Sequence, residues 1–107
     1  MIVNVRMLAF MDGELRPVDV PDAQVRSDTQ SMLEQVYYFG QNDFQPVPKR
    51  CSVSIGDVAL LNGKFYIVRT CGWAEISPRD LEAYEKLDVR DRGWSEYVGR
   101  GDSHLTT

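Results

Sequence analysis

The sequence predicts an α+β fold with the element order ββ-α-ββ-α, in which one antiparallel sheet of two hairpins is packed on one side by two helices. Two turn signals, Asp12-Gly13 and Asn62-Gly63, each separate runs in which apolar and polar residues alternate, as in a β-hairpin. A stretch with apolar residues at helical spacing follows each hairpin. We therefore predict one domain over residues 1–98 and a flexible C-terminal tail over residues 99–107.

The composition is typical of a globular protein. The chain has 107 residues, of which 43% are hydrophobic and 26% are charged, and it carries a net charge of −4. No apolar run approaches the roughly 18 residues of a membrane-spanning helix, and no signal-peptide pattern is present. The two cysteines are too few for a disulfide framework. We therefore expect a cytoplasmic protein that does not bind membranes.

The first hairpin is predicted from Ile2–Phe10 and Leu15–Val20. With Asp12-Gly13 as a two-residue turn, the register opposes Arg6 to Asp19 on one face. The opposite, buried face is then apolar, with Val3, Val5, Met7, Val18 and Val20. Pro17 has no N–H to donate, so the second strand is predicted at a sheet edge.

The first helix is predicted to begin at Ser27 and to end at Gly40. Ser27 and Gln30 have the spacing of a capping box. The apolar stripe consists of Met32, Leu33, Val36 and Phe39. Residues 41–50 contain two prolines and no periodicity, which predicts a loop.

The second hairpin is predicted from Cys51–Leu61 and Lys64–Ile76 around Asn62-Gly63. Its register opposes Leu60 to Phe65 and Val58 to Ile67 on the buried side. Cys71 would then face Ser54, three rungs from Cys51, or about 10 Å, which is beyond disulfide reach unless Gly56 introduces a bulge. Residues 54–57 are predicted to form a bend.

The second helix is predicted to follow Ser77 as its N-cap, with Pro78 at the first helical position. Its apolar stripe consists of Leu81, Tyr84 and Leu87. The helix is expected to end around residues 90–93.

The sequence offers few groups for catalysis. His104 is the only histidine and lies in the predicted tail, and no metal-ligand or phosphate-loop spacing is present. We therefore expect no catalytic residue, metal or cofactor. A weaker alternative is a hydrolase in which two of the carboxylates Asp43, Asp57 and Glu75 converge.

Aromatic and amide side chains concentrate after the first helix, as is typical of recognition surfaces. The predicted partner-binding residues are Tyr37, Tyr38, Gln41, Asn42, Asp43, Phe44 and Gln45. Tyr38 should be exposed because it points about 100° away from Phe39 on the helix. The alternative, in which these aromatics pack back onto the sheet, stays open. Trp73 either completes the core or extends the same surface.

Charge is distributed unevenly along the chain. Residues 11–46 carry seven acidic and two basic side chains, which favours a basic surface on a protein partner. The second hairpin region is more basic, and the alternative is a small nucleic-acid-binding protein. The residues for that alternative are Lys49, Arg50, Lys64 and Arg69.

Two stretches resemble a known group of proteins. They are Tyr38-Phe39-Gly40-Gln41-Asn42-Asp43-Phe44-Gln45-Pro46, and Ser52-Val53-Ser54-Ile55-Gly56-Asp57-Val58 with its continuation Gly63-Lys64-Phe65-Tyr66-Ile67-Val68 and Cys71-Gly72-Trp73. The second stretch resembles the core of YodL-like domains and of small uncharacterised proteins carried by plasmids, phages and integrative elements. The resemblance covers residues 38–76 and supplies no catalytic residues. It implies an accessory protein that acts on host or competitor machinery, either as a monomer or as a homodimer formed through an edge strand.

Overall fold

The computed structural model describes residues 1–9, 13–41, 52–70 and 72–99. The strands are β1 (Ile2–Met7), β2 (Glu14–Asp19), β3 (Val58–Leu61), β4 (Lys64–Arg69) and β5 (Gly72–Ile76). The helices are α1 (Thr29–Phe39), α2 (Pro78–Glu85) and α3 (Val89–Arg92), with 3₁₀ turns at Asp22–Gln24 and Glu96–Val98. The strands form one antiparallel sheet in the order β2-β1-β3-β4-β5. The predicted α+β class is confirmed.

The first hairpin forms with the predicted faces but in a different register. Arg6 lies opposite Leu15, and Val5 opposite Arg16, so the strands are offset by four residues from the prediction. An even offset leaves every side chain on its predicted face, and the predicted apolar residues are all buried. The predicted pairing of Arg6 with Asp19 is wrong, because Arg6 pairs with Glu85 of α2.

The offset arises because β1 ends sooner than predicted. The Ala9 N–H donates to Oδ1 of Asp57 at 2.9 Å instead of continuing the ladder to β2. Leu8 turns into the core and is 2% exposed. Pro17 lies in β2 at the edge of the sheet, as predicted.

The register of the second hairpin is confirmed, with Leu60 opposite Phe65 and Val58 opposite Ile67. The predicted strand 64–76 is instead two antiparallel strands, because the chain reverses after Arg69. Gly72 opens β5 with φ at 102°, a conformation that favours glycine. The predicted opposition of Cys71 to Ser54 required a continuous strand, and both cysteines lie outside the described residues.

Helices cover both faces of the sheet, so the predicted one-sided packing is wrong. The buried face of α1 packs against one face of the sheet, including Ala59 and Tyr66. Leu81 and Tyr84 of α2 pack against the other, including Val58 and Ile67. The prediction failed because β3 and β4 are apolar on both sides, as in a central buried strand.

The second face is covered only in part. Leu60, predicted to be buried, is 43% exposed, and Phe65 is half-buried. Ile2 and Leu15, on the strands farther from α2, are also exposed. In the part of the chain that the structure describes, no helix is long and apolar enough to cross a membrane.

Both long helices begin at capping side chains. Asp28, one residue after the predicted Ser27, caps α1 by accepting from the Ser31 N–H at 2.9 Å. Ser77 caps α2 as predicted, with Pro78 following it.

Gly40 follows α1, as predicted. A Cβ at this position would lie 2.4 Å from Cγ2 of Val53. The Val53 N–H also donates to the Gly40 carbonyl at 3.2 Å. Glycine therefore allows the chain entering β3 to pack directly against the end of α1.

Candidate functional site

A groove of about 310 Å³ lies between α1 and the β4–β5 hairpin. Its lining includes Glu34, Tyr37, Ile55, Val68, Arg69 and Trp73. The volume is at the small end of the range of about 300–1,000 Å³ for ligand sites. It is therefore large enough for one side chain or a small ligand, and we refer to it as the α1 groove.

The helical wall of the α1 groove follows from the spacing of residues along α1. Glu34 and Tyr37 are three residues apart, so they lie on the same side of the helix. Both are exposed, because Met32, Leu33 and Val36 occupy the side that faces the sheet. The residues of α1 that pack against the sheet are thus different from those that line the groove.

The opposite wall is formed by the start of β5. Trp73 lies opposite Val68 in the β4–β5 register, on the face of the sheet that α1 covers. Its side chain is half-buried and packs against the core beneath α1. Trp73 therefore packs against the core and also lines the groove that Tyr37 lines.

The floor of the groove includes Ile55, which lies in the tight turn that precedes β3. The Asp57 N–H donates to the Ser54 carbonyl at 2.9 Å, and Gly56 has φ at 101°. This turn is the predicted bend. Ile55 packs against the cores on both faces of the sheet, so its position is well supported.

Asp57 anchors this turn from within the core and is 1% exposed. Its carboxylate accepts from the N–H groups of Ser54 at 2.8 Å and Ala9 at 2.9 Å. Burial raises the pKa of Asp57 to about 6, although these N–H groups, that of Leu8 and the Arg16 charge oppose the rise. The carboxyl group joins two distant parts of the backbone and is enclosed by protein.

Tyr84 of α2 holds the same turn from the other face of the sheet. Its hydroxyl donates to the Gly56 carbonyl at 2.6 Å and is fully buried. Burial raises the pKa of Tyr84 to about 12, which keeps the hydroxyl protonated. The turn that carries Ile55 is therefore fixed from both sides.

The carboxylates of the predicted hydrolase alternative have different environments. Asp57 is buried, whereas Glu75 is exposed and forms an ion pair with Lys64 at 3.8 Å. Neither side chain lines the α1 groove. Asp43 lies outside the described residues. Among those that are described, no group of three or more His, Cys, Asp or Glu side chains is placed to hold a metal ion.

The structure describes three of the seven predicted partner-binding residues. Tyr38 is 53% exposed, as predicted, and Tyr37 is 39% exposed. The Gln41 amide donates to the carbonyls of Tyr37 at 2.8 Å and Val53 at 3.3 Å. Gln41 therefore joins the end of α1 to the chain that enters β3, a structural role that its sequence position does not reveal. The other four, Asn42, Asp43, Phe44 and Gln45, lie outside the described residues.

The basic residues of the nucleic-acid alternative do not share a surface where they are described. Lys64 and Arg69 lie at opposite ends of β4, and an odd spacing along a strand puts side chains on opposite faces. Lys64 pairs with Glu75. A Cβ on Gly99 would lie 3.1 Å from Nη2 of Arg69, so this guanidinium points towards the C-terminal 3₁₀ turn. Lys49 and Arg50 lie outside the described residues.

Sequence reasoning missed Glu34 and Ile55 as groove residues. The position of Glu34, three residues before Tyr37, was a usable signal. The sequence carries no such signal for Ile55, because the position of Ile55 beside α1 depends on the packing of Gly40 against Val53.

A buried arginine was also missed. Nη1 of Arg92 donates to the Leu8 carbonyl at 3.2 Å, and Nη2 donates to the Glu85 carbonyl at 2.7 Å. Arg92 thus joins α3 to the end of β1 and to α2, beside a second cleft of about 270 Å³. These contacts within the chain indicate a structural role.

Comparison with known proteins leaves the geometry as the main guide to function. No protein-family model matches the chain, and neither the curated proteins nor the solved structures include a significantly similar one.

Proposed function

We propose that this chain is a non-catalytic binding protein that engages a protein partner through α1 and the groove beside it. The observation that carries the proposal is the continuity of Tyr38, Tyr37 and the α1 groove, which ends at Trp73. Two exposed tyrosines thus lie next to a concavity with a tryptophan in its far wall.

The energetics of aromatic side chains support this proposal. Tyrosine and tryptophan bury a large area on binding and lose little conformational entropy, so they dominate many interfaces. The core under α1 is built from Met32, Leu33 and Val36, so the fold does not require Tyr38 to be buried. Its side chain is 53% exposed, and its ring makes an edge contact with the Phe39 ring at a centroid distance of 5.0 Å.

The charge of α1 suggests the character of the partner. The helix contains Glu34, is capped by Asp28 and has no Lys or Arg. Complementary charge mainly accelerates association and selects the partner. The proposed partner therefore presents a basic surface.

The finer part of the proposal concerns biological context. We propose a regulatory or inhibitory accessory protein of a mobile genetic element, which rests on the resemblance of residues 38–76 alone. The protein would act as a monomer or as a homodimer formed through an edge strand. Of the two edges, β5 offers the more complete row of backbone donors, because Pro17 in β2 has no N–H.

A site-specific photo-crosslinker tests the proposed surface. With p-benzoylphenylalanine at position 38 and irradiation in the source cells, we expect one dominant protein adduct. The control carries the same group at Trp94, which is 68% exposed and lies outside the groove. An adduct at both positions, or at neither, would contradict the proposal.

A double variant provides the second arm of the test. In a pull-down from the same cells without the crosslinker, Tyr37→Ala with Tyr38→Ala should abolish recovery of the partner that crosslinking identifies. It should change the free energy of unfolding by no more than about 1 kcal/mol. Loss of folding would instead assign the tyrosines to the structure. Trp94→Ala is the matched control, because it also removes an exposed aromatic side chain. This variant should recover the partner as the wild type does.

A further inference from the structure

The α1 groove combines aromatic rings with a carboxylate. Glu34 and Tyr37 are one helical turn apart, with Cβ atoms about 5–6 Å from each other by helix geometry. Trp73 contributes the opposite wall. A group seated between the walls would thus meet an aromatic side chain on each side and a negative charge at one edge.

This combination suits a cation on an aliphatic stem. The faces of tyrosine and tryptophan rings attract ammonium and guanidinium groups within about 6 Å of the ring centroid. Ile55 and Val68 provide an apolar surface for the methylene groups that precede the charge. A purely apolar occupant would desolvate Glu34 without compensation, which is unfavourable.

The charges around the groove favour the same occupant. Residues 11–46 contain only two basic side chains, and one of them, Arg16, is buried in the sheet at 2% exposure. Arg69 contributes to the lining, but its guanidinium approaches Gly99 at the C-terminal 3₁₀ turn. The positive charge of Arg69 is therefore directed away from Glu34.

We infer that the α1 groove seats a single arginine or lysine side chain from a basic segment of a protein partner, between Tyr37 and Trp73 and with Glu34 as its counter-charge. This inference rests on the proposed function, because it names the chemistry by which the partner is recognised. The guanidinium of arginine is the better fit, since its flat surface stacks on aromatic rings.

A pair of isosteric peptides tests the inference directly. The probe is the blocked pentapeptide Gly-Gly-Arg-Gly-Gly, and the control replaces its arginine by neutral citrulline. In a Trp94→Phe variant, Trp73 is the only tryptophan, so its indole N–H signal in an NMR spectrum reports on the groove. We expect the arginine peptide to shift this signal saturably, with an affinity at least about threefold above that of the citrulline peptide.

Two variants locate the charge that is responsible. Glu34→Gln should reduce the ratio of the affinities for the arginine and citrulline peptides to less than half of its wild-type value. Tyr37→Leu should also reduce this ratio, although it keeps an apolar side chain in the wall of the groove. The matched control is Glu82→Gln, an equal change of charge at an exposed position of α2 on the other face of the sheet. It should leave the preference unchanged.

The outcomes separate this inference from the proposed function. Equal affinity for the two peptides, or no saturable shift with either, overturns the cation site, whereas an adduct at position 38 would still support a protein partner. Selective binding of the arginine peptide without any adduct at position 38 supports the cation site and overturns the proposed protein-binding surface. Equal loss of preference in Glu34→Gln and Glu82→Gln overturns the specific role of Glu34.

Discussion

Asp57 shows how one buried side chain organises this small protein. Its position in a Ser-Ile-Gly-Asp bend is readable from the sequence, and the bend is confirmed. The sequence does not reveal that the carboxylate also accepts from Ala9, 48 positions earlier in the chain. That contact lies just beyond the end of β1 and accompanies the offset register of the first hairpin.

The burial of Asp57 makes the stability of the protein depend on pH. The folded-state pKa of about 6 lies above the ordinary aspartate pKa of 3.8, so the native state holds this proton more tightly than the unfolded state. The contribution to stability is therefore fully present below about pH 4 and is lost as the pH rises through 6. We expect it to change the free energy of unfolding by roughly 3 kcal/mol in total.

Urea denaturation between pH 4.5 and 7, of the wild type and of Asp57→Asn, measures this contribution. The difference in unfolding free energy between the two proteins should change with pH in the stated direction. Asp28 acts in the opposite sense, because its hydrogen bonds to Ser31 lower its pKa. The comparison between variants removes such contributions, and a difference that is independent of pH would contradict the prediction.

The elements could be predicted from local sequence to different extents. Asn62-Gly63 determines its hairpin because both residues have positive φ, 53° and 78°, as a tight turn of this kind requires. Asp12-Gly13 is a similar turn signal, but the register of its hairpin differs from the prediction, and the Ala9 N–H bonds to Asp57 instead. The reversal between β4 and β5 was missed, because Thr70 carries no turn signal and Gly72 follows the reversal.

The end of α1 provides a test at the scale of one element. Gly40→Ala should destabilise the protein by roughly 1–3 kcal/mol, because the added Cβ would overlap Val53. Thermal unfolding measures the loss. The control is Gln30→Ala at an exposed position of α1, which should be neutral or slightly stabilising because alanine favours helix. Equal stability of the Gly40 variant and the wild type would show that the chain entering β3 does not pack closely against the helix.

At the scale of the molecule, the sheet lies between two apolar layers instead of covering a single one. The exposure of Tyr38 could be predicted from the periodicity of α1. The groove could not, because its far wall depends on the reversal that places Trp73 beside Val68. Sequence patterning thus indicates which helix face is free but not what lies opposite it.

A pair of charge substitutions tests this arrangement. Val36→Asp should abolish cooperative thermal unfolding, since a carboxylate without a partner would replace a side chain of 0% exposure in a domain of modest stability. Leu60→Asp makes the same chemical change at a side chain of 43% exposure and should retain a sharp transition. A sharp transition in Val36→Asp would overturn the assignment of the core beneath α1.

The position of β3 and β4 between the two layers has a consequence for the dynamics of the backbone. Amide protons in a strand that is paired on both sides and covered on both faces exchange with deuterated solvent only through the larger openings of a protein. Those of Ala59 and Ile67 should therefore be among the slowest to exchange. Amides along β2 and β5, each with one neighbouring strand, should take up deuterium earlier, so the sheet would loosen from its margins inward.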